Sequence, residues 1–338
     1  CIRDLVPCVQ SRYHEFNTRD LALIVVALAK ADELDQGTSS AVGALVVARL
    51  PEFSSKDFSL LLWALSATYR DKQSSLSLIA EVQRRDLHSF SVMDLCMTGQ
   101  ALAKFAEAGK ASFLLVAKEA FRRQLEAFTV ADKALLLWSI AKSKTIYNAL
   151  CRLIVRGMAV ENCAVLGHDV MSAALWALGV LWPSFTANDP WPRQLVMLLC
   201  VHTPWVGSQV YEVANTAWAF AQFPEAVGDD IWRSLWCSAS CLSLDSASLH
   251  ELCNLLAGST ACRLEVPGCH EVIVSAANKV DNQLRSGATL SFHDHGALLH
   301  SLSRCGHGHS GIPELASLRS SLHGQQDDEQ EEQEEQEE

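Results

Sequence analysis

FNTRDLALIVVALAK (16–30) is rewritten three times further along the chain, as FSSKDFSLLLWALSA from Phe53, FSVMDLCMTGQALAK from Phe90 and FTVADKALLLWSIAK from Phe128. Each copy opens on an aromatic residue and a small polar residue, places an acid three positions later, and then sets apolar residues three and four apart. That order is a helix start followed by an amphipathic helix. Self-similarity at a fixed period guides the count of structural units better than length does.

A register through the whole chain follows from the Trp-type position, which falls at Val26, Trp63, Gln100, Trp138, Trp176, Trp218, Asn254 and His300, at spacings of 37, 37, 38, 38, 42, 36 and 46. Two residues further on stand Leu28, Leu65, Leu102, Ile140, Leu178, Phe220, Leu256 and Leu302, all large and apolar. One and three residues after the Trp position most residues are small, for example Ala64 and Ser66 or Ala177 and Gly179, which suits close approach of neighbouring helices.

Nine positions before the Trp position, capping residues stand at Asn17, Ser54, Ser91, Thr129, Asp245 and Ser291. The acid three later is Asp20, Asp57, Asp94, Asp132 or Asp294, the spacing of a capping box with Asp in place of Glu. The residue before the cap (Phe16, Phe53, Phe90, Phe128, Leu166, Leu244, Leu290) is placed to staple onto Leu21, Phe58 or Leu95 inside the helix. These acids therefore have structural work near the positive helix end. After a polar or glycine break comes a second apolar-periodic run: SSAVGALVVARL (39–50), SLSLIAEVQRR (75–85), ASFLLVAKEAFRRQL (111–125) and IYNALCRLIVRGM (146–158). Neither helix of such a pair buries its apolar face alone, so the pairs must stack. The pattern predicts an all-α protein: an α-solenoid of about eight helix-turn-helix repeats of the armadillo, HEAT or PPR-like kind, each of about 37–38 residues. It spans residues 1–323, of which 1–15 are the remnant of a preceding repeat. Residues 324–338, rich in Gln and Glu, should be disordered. The Pro-containing inserts LWPSFTANDPWP (181–192) and VHTPWVG (201–207) are expected as longer loops.

The net charge of −12 is concentrated. Nine of the 39 acids lie in the last fourteen residues, which leaves 30 acids against 27 bases in the body. Within it, residues 70–156 hold 14 bases and 8 acids, whereas 157–323 hold 7 bases and 14 acids. The basic middle is either a nucleic-acid footprint or the ordinary fluctuation of helix surfaces. The twelve cysteines include no CxxC pair, and several (Cys96, Cys200, Cys253) sit in apolar helical runs, so reduced thiols in an intracellular or organellar compartment are expected. No apolar run has the length of a membrane span.

Chemistry finds little support. There is no phosphate-binding glycine loop, dinucleotide fingerprint, GxSxG or HExxH, and no nucleophile with its base. The residues imply no enzyme, no cofactor and no small-molecule substrate. The densest group of metal-ligand types, His293, Asp294, His295, His300, Cys305, His307 and His309, has no usual zinc spacing and reads more simply as a polar end to the solenoid. Cys237 and Cys241 lie four apart with no His nearby. What remains is surface. Arg19, Lys56 and Met93 share the second position of the first helix, and Lys30, Lys104, Lys142 and Arg304 share its end, with Lys144 close by. Second helices carry Arg84, Arg85, Arg122, Arg123, Arg152 and Arg156. A base in a last helical turn suits the helix dipole in any protein, yet equivalent positions in a solenoid stack into a stripe that can track a phosphate backbone. Trp63, Trp138, Trp176 and Trp218 are expected in the core.

The phrase itself resembles the helical repeats of an organellar group: FAST-kinase/RAP-type proteins, octotricopeptide and heptatricopeptide repeat proteins, and repeat subunits of the kinetoplastid mitochondrial RNA-editing substrate-binding complex. The likeness covers about residues 12–323, most closely 12–180, and is similar to pieces of large families in apicomplexans and dinoflagellates. It implies a single-stranded RNA partner, with ribonucleoprotein or ribosomal proteins as further partners. It also implies a mitochondrial setting (alternatively plastid or cytoplasmic) and a role in mRNA stability, processing, editing or ribosome assembly. The twelve Lys and Arg residues from Arg19 to Arg156 named above are the candidate RNA contacts. The alternative is a non-catalytic protein-binding scaffold of the HEAT or armadillo kind.

Overall fold

The computed structural model describes residues 11–12, 15–31, 36–68, 72–145, 147–186, 188–201, 205–261, 269–291, 294, 298 and 318. Fourteen α-helices and no strand occur among them. The chain is an all-α solenoid whose residues divide into two compact units, Cys1–Glu161 and Asn162–Glu338. The first unit contains four helix pairs: α1 (Thr18–Lys30) with α2 (Gln36–Ala48), α3 (Ser55–Thr68) with α4 (Lys72–Arg84), α5 (Val92–Lys104) with α6 (Ala106–Arg122), and α7 (Val130–Ser143) with α8 (Asn148–Ala159). The second contains α9 (His168–Leu181) with α10 (Pro190–Val201), α11 (Val210–Gln222) with α12 (Asp229–Ala239), and α13 (Leu249–Ala261) with α14 (Cys269–Arg285). Odd-numbered helices, which carry the repeated phrase, pack on the next odd-numbered helix of their unit; α2, α4, α6 and α8 pack in turn as a second layer. Most of the eighth copy, with His300 and Arg304, lies outside the described residues, as do the tail and residues 1–10. No helix among the described residues is long and apolar enough to cross a membrane.

The starts of the first four phrase helices are held as their sequence dictates. Ser91 and Asp94 exchange both bonds of the capping box, Asp94 N–H to Ser91 Oγ at 3.1 Å and Ser91 N–H to Asp94 Oδ2 at 3.1 Å; Thr129 and Asp132 do the same. Asn17 accepts from the Asp20 N–H at 2.8 Å, and Ser54 from the Asp57 N–H at 3.1 Å. The staples Phe53, Phe90 and Phe128 are buried, as are their partners Phe58 and Leu95. Asp94 does more than cap, because its other carboxylate oxygen accepts from Ser59 Oγ of the preceding repeat at 3.1 Å.

One copy departs from the register. The cap of α13 is not Asp245 but Ser248, whose N–H donates to Glu251 Oε2 at 2.7 Å while its Oγ accepts from the Glu251 N–H at 3.3 Å. An ordinary Ser-x-x-Glu box outcompetes an acid without a box partner, and Asp245 instead receives Lys279 Nζ at 2.9 Å. The Trp-type position of this repeat is therefore Ala257, not Asn254. The corrected register places Gly258 in line with the buried Ala177 and Ala219. A Cβ on Gly258 would meet Ala217 Cβ at 2.5 Å and its carbonyl carbon at 2.7 Å, so α13 and α11 approach backbone to backbone there. The first insert also differs from the long loop expected, because α10 begins inside it, with Pro190 supplying a first-turn residue that needs no N–H partner.

The entrance and exit of a repeat are tied by arginine. Arg49, at the end of α2, donates to the Phe16 carbonyl at 2.9 Å. Arg85 donates to the Phe53 carbonyl at 2.9 Å and the Leu50 carbonyl at 2.6 Å, and lies 4.2 Å from the Phe58 ring centroid. Arg123 donates to the carbonyls of Phe90 and Leu87, each at 2.9 Å. Each guanidinium thus satisfies carbonyls of the turn that precedes its own repeat's first helix. The fourth repeat inverts the chemistry: Lys133 stands where the others have Leu21, Phe58 and Leu95, and pairs with Glu161 at the hook position. A buried Glu119 underlies the third hook, pairing with Arg123 at 2.7 Å, Arg122 at 2.9 Å and His88 at 2.8 Å. The hydrogen bonds from Arg122, with those from Arg123 and His88, outweigh the cost of burial and lower its carboxyl to about 2.

Three outcomes follow. Arg123→Ala lowers the stability of α5–α6 by about 2–3 kcal/mol, because it strands two loop carbonyls and takes one partner from a buried carboxylate, while Arg122→Ala, at an exposed guanidinium, costs less; amide hydrogen exchange in these helices separates the two. Glu119 has a depressed folded-state pKa, so its contribution is present above the ordinary value of 4.5 and is lost as pH falls toward 2. Protection of α5–α6 in Glu119→Gln should accordingly change less across that window than in the parent. Gly258→Ala forces α13 off α11 and costs roughly 1–3 kcal/mol in urea denaturation.

Candidate nucleic-acid interface

The capping box fixes which side of each phrase helix is left outside. Counting from the cap, the second, sixth, ninth and thirteenth residues lie along one stripe, because spacings of 4, 3 and 4 follow the helical turn. In α5 these are Met93, Met97, Gln100 and Lys104, and they are that helix's exposed or half-buried positions apart from Val92 at its start. The same stripe is Arg19, Leu23, Val26 and Lys30 in α1, Lys56, Leu60 and Trp63 in α3, and Ala131, Leu135, Trp138 and Lys142 in α7. Because α1, α3, α5 and α7 pack in sequence, the four stripes lie side by side as one face of the first unit. It carries five cations and no acid.

The tryptophans correct the core assignment. Trp63 and Trp138 are half-buried, as is Trp176 of the second unit, and Trp218 alone of the four is buried. The ninth position sits at the margin of the buried sector, so one edge of the indole packs and the rest meets solvent. Trp218 is covered because Trp176 stacks beside it at 6.2 Å and Gly179 leaves room for its ring. In the first unit, Lys104 Nζ lies 5.6 Å from the Trp63 ring centroid, within cation–π range. Partial burial, and then the nearby charge of Lys142, lower the Lys104 pKa. Lys104 and Lys142, one repeat apart at the same register, are therefore electrostatic neighbours with no carboxylate paired to either among the described residues.

The remaining candidates fall elsewhere. Arg85 and Arg123 are half-buried and occupied by their hooks. Arg84 and Arg122 are exposed, at 73% and 59% of the side chain, but pair with Glu81 and Glu119 of their own helices. Arg152 and Arg156 are exposed on α8. These six belong to the second layer of helices. Lys144 caps α7 in the left-handed conformation, with φ of 53°, in the turn that follows Lys142. The twelve residues thus do not form one surface: Arg19, Lys30, Lys56, Lys104 and Lys142 share the phrase-helix face, and the others do not. Leu23, Met97, Gln100 and the two tryptophans, absent from the sequence-derived set, belong to that face together with Met93. The stripe spacing counted from the cap was the signal that finds them.

In the second unit the same stripe reads Asp169, Ala173, Trp176 and Val180 in α9, Tyr211, Asn215, Trp218 and Gln222 in α11, and His250, Asn254 and Ala257 in α13. It contains no Lys or Arg. Its polar groups bond to one another: Asn254 Nδ2 reaches Asn215 Oδ1 at 3.2 Å and His250 Nε2 at 3.3 Å, and His250 Nδ1 lies 2.5 Å from Asp294 Oδ1. His293, His295, His300, Cys305, His307 and His309 lie outside the described residues; among the described ones no group of three His, Cys, Asp or Glu could hold a metal ion. Cys200 and Cys253 are buried, which pushes their thiols up to about 12, whereas Cys237 and Cys241 are exposed. No protein-family model matches the chain, and no curated protein matches it.

Proposed function

We propose that the first unit binds single-stranded RNA across the face formed by α1, α3, α5 and α7, and that the protein acts by binding, not catalysis, in mitochondrial or plastid RNA metabolism. The observation that carries this reading is the composition of that face: Arg19, Lys30, Lys56, Lys104 and Lys142 with two half-buried tryptophans and no acid. Lysine and arginine on such a surface release counterions from a phosphate backbone, and indole rings that reach the surface stack bases with little regard to sequence. Packed helix axes stand about 8–10 Å apart, so an extended strand crossing them meets a new stripe every nucleotide or two. The organelle and the place in RNA metabolism rest on the resemblance of the repeated phrase alone.

The test is filter binding of single-stranded RNA over a salt series. Reversing Lys56, Lys104 and Lys142 to Glu should weaken binding about tenfold or more and flatten the salt slope by about 2, at roughly 0.7 per phosphate contact. Reversing Arg84 and Arg152 on the other layer should change affinity less than about threefold. Affinity that ignores salt, or that survives the first set of reversals, overturns the reading. A second reading, a protein-binding scaffold, draws on Leu23 and Met93, which are 49% and 66% exposed on the same face; it predicts a partner whose binding is lost in Leu23→Ser with Met93→Ser and varies little with salt.

A further inference from the structure

Cations that are half-buried or buried in this chain follow a rule. Arg49 pairs with Glu52, Arg85 with Glu81, Lys110 with Glu107, Arg123 with Glu119, Lys133 with Glu161 and Lys279 with Asp245. Withdrawing a charge from water is costly unless an opposite charge meets it, and the chain meets that cost with a carboxylate each time. Lys104 is the exception among the described side chains. It is half-buried, the one charge that acts on it strongly enough to lower its pKa is another lysine, Lys142, and its ammonium faces the ring of Trp63 at 5.6 Å. The group missing from this arrangement is an anion. Beside it lies Gln100, on the same helix and on the row between Trp63 and Trp138, half-buried and with no hydrogen bond to any described residue.

We infer that Trp63, Lys104 and Lys142 form a single nucleotide subsite in which Lys104 acts as a gate. In the free protein the Lys104 ammonium covers the indole face of Trp63. A nucleotide displaces it: the phosphate draws the ammonium away to bridge Lys104 and Lys142, and the uncovered face accepts the base. Each element comes from a different helix at a fixed register, Trp63 from α3, Lys104 from the last turn of α5 and Lys142 from the last turn of α7. The subsite thus exists only where three consecutive repeats are stacked. Gln100 adds an amide, able both to donate and to accept, at the margin where a stacked base presents its edge. A simple inorganic anion would satisfy the two ammonium groups but leave the indole covered or bare, so the ligand the site fits is a phosphate joined to a flat aromatic group. This inference rests on the RNA-binding reading and adds the position and order of the contact.

The experiment labels the tryptophans with 5-fluorotryptophan and follows the fluorine resonance of Trp63, assigned with Trp63→Phe. The probe is an oligouridine of about ten nucleotides, and a second arm uses inorganic phosphate at matched ionic strength. The resonance should shift with oligouridine, and by less with phosphate, which can draw the ammonium off the ring but brings no base to stack on it. Lys104→Met should move the resonance in the free protein, because the gate is gone, and should lower the salt slope of oligouridine binding by about 0.7. Trp63→Leu should weaken oligouridine about tenfold; Trp63→Phe, which keeps a ring in the half-buried position, should weaken it less and controls for folding. Salt-dependent oligouridine binding with an unmoved Trp63 resonance overturns the subsite and leaves the broader interface standing. A shift with phosphate equal to that with oligouridine reduces the site to an anion site and overturns the gate. Absence of oligouridine binding removes the interface itself.

Discussion

The carboxylate three residues after the cap, present in every phrase helix but α9, is the interaction on which the rest of the structure depends. It starts the phrase helix by closing the box with Ser91 or Thr129, and at Asp94 the same carboxylate reaches back to Ser59 of the preceding repeat. Setting the helix start also sets its rotation. Once the staple phenylalanine and the core leucine are turned inward, the second, sixth, ninth and thirteenth residues have nowhere to go but out. Orientation of the candidate interface is thus a consequence of helix capping, and a change in the box would turn the binding face as well as loosen the helix.

The second constraint is closure of the repeat. A two-helix unit buries too little to hold itself together, and the hooks made by Arg49, Arg85 and Arg123 join the second helices of the first three repeats to the turns where those repeats begin. These guanidiniums consume what looks in the sequence like a run of surface positive charge. Adjacent arginines such as Arg84–Arg85 and Arg122–Arg123 have opposite fates: the second of each pair turns under onto carbonyls, and the first stays out beside a glutamate. On the other layer the stripe of phrase-helix cations has no acid sharing it.

Much of the fold was legible in the residues. Caps, staples, the alternation of two helix types and the small-residue rows could all be read from the first four copies, because each feature is local and each copy repeats it. The seventh copy was misread, since Asp245 offered an acid at the required distance while Ser248 and Glu251 offered the complete box. The arginine hooks were not legible, because a carbonyl acceptor 32–36 residues away leaves no mark in the pattern. The site was legible in part. Lysines at the second and thirteenth stripe positions were found, but the tryptophans were assigned to the core. A residue at the margin of an apolar sector looks the same in sequence as one at its centre, and only the packing of Gly179 against Trp218, or the partial burial of Trp63, distinguishes them.

The central claim is that the first unit offers a cationic, aromatic face on its phrase helices, whereas the arginines Arg49, Arg85 and Arg123 of the other helices are taken up by loop carbonyls. Ultraviolet cross-linking of single-stranded RNA to the intact protein, with the adducts mapped by mass spectrometry, tests it most directly. The account predicts adducts on α3, α5 and α7, centred on Trp63, Gln100 and Trp138. Adducts concentrated on α4, α6 and α8, or in the second unit, would contradict it.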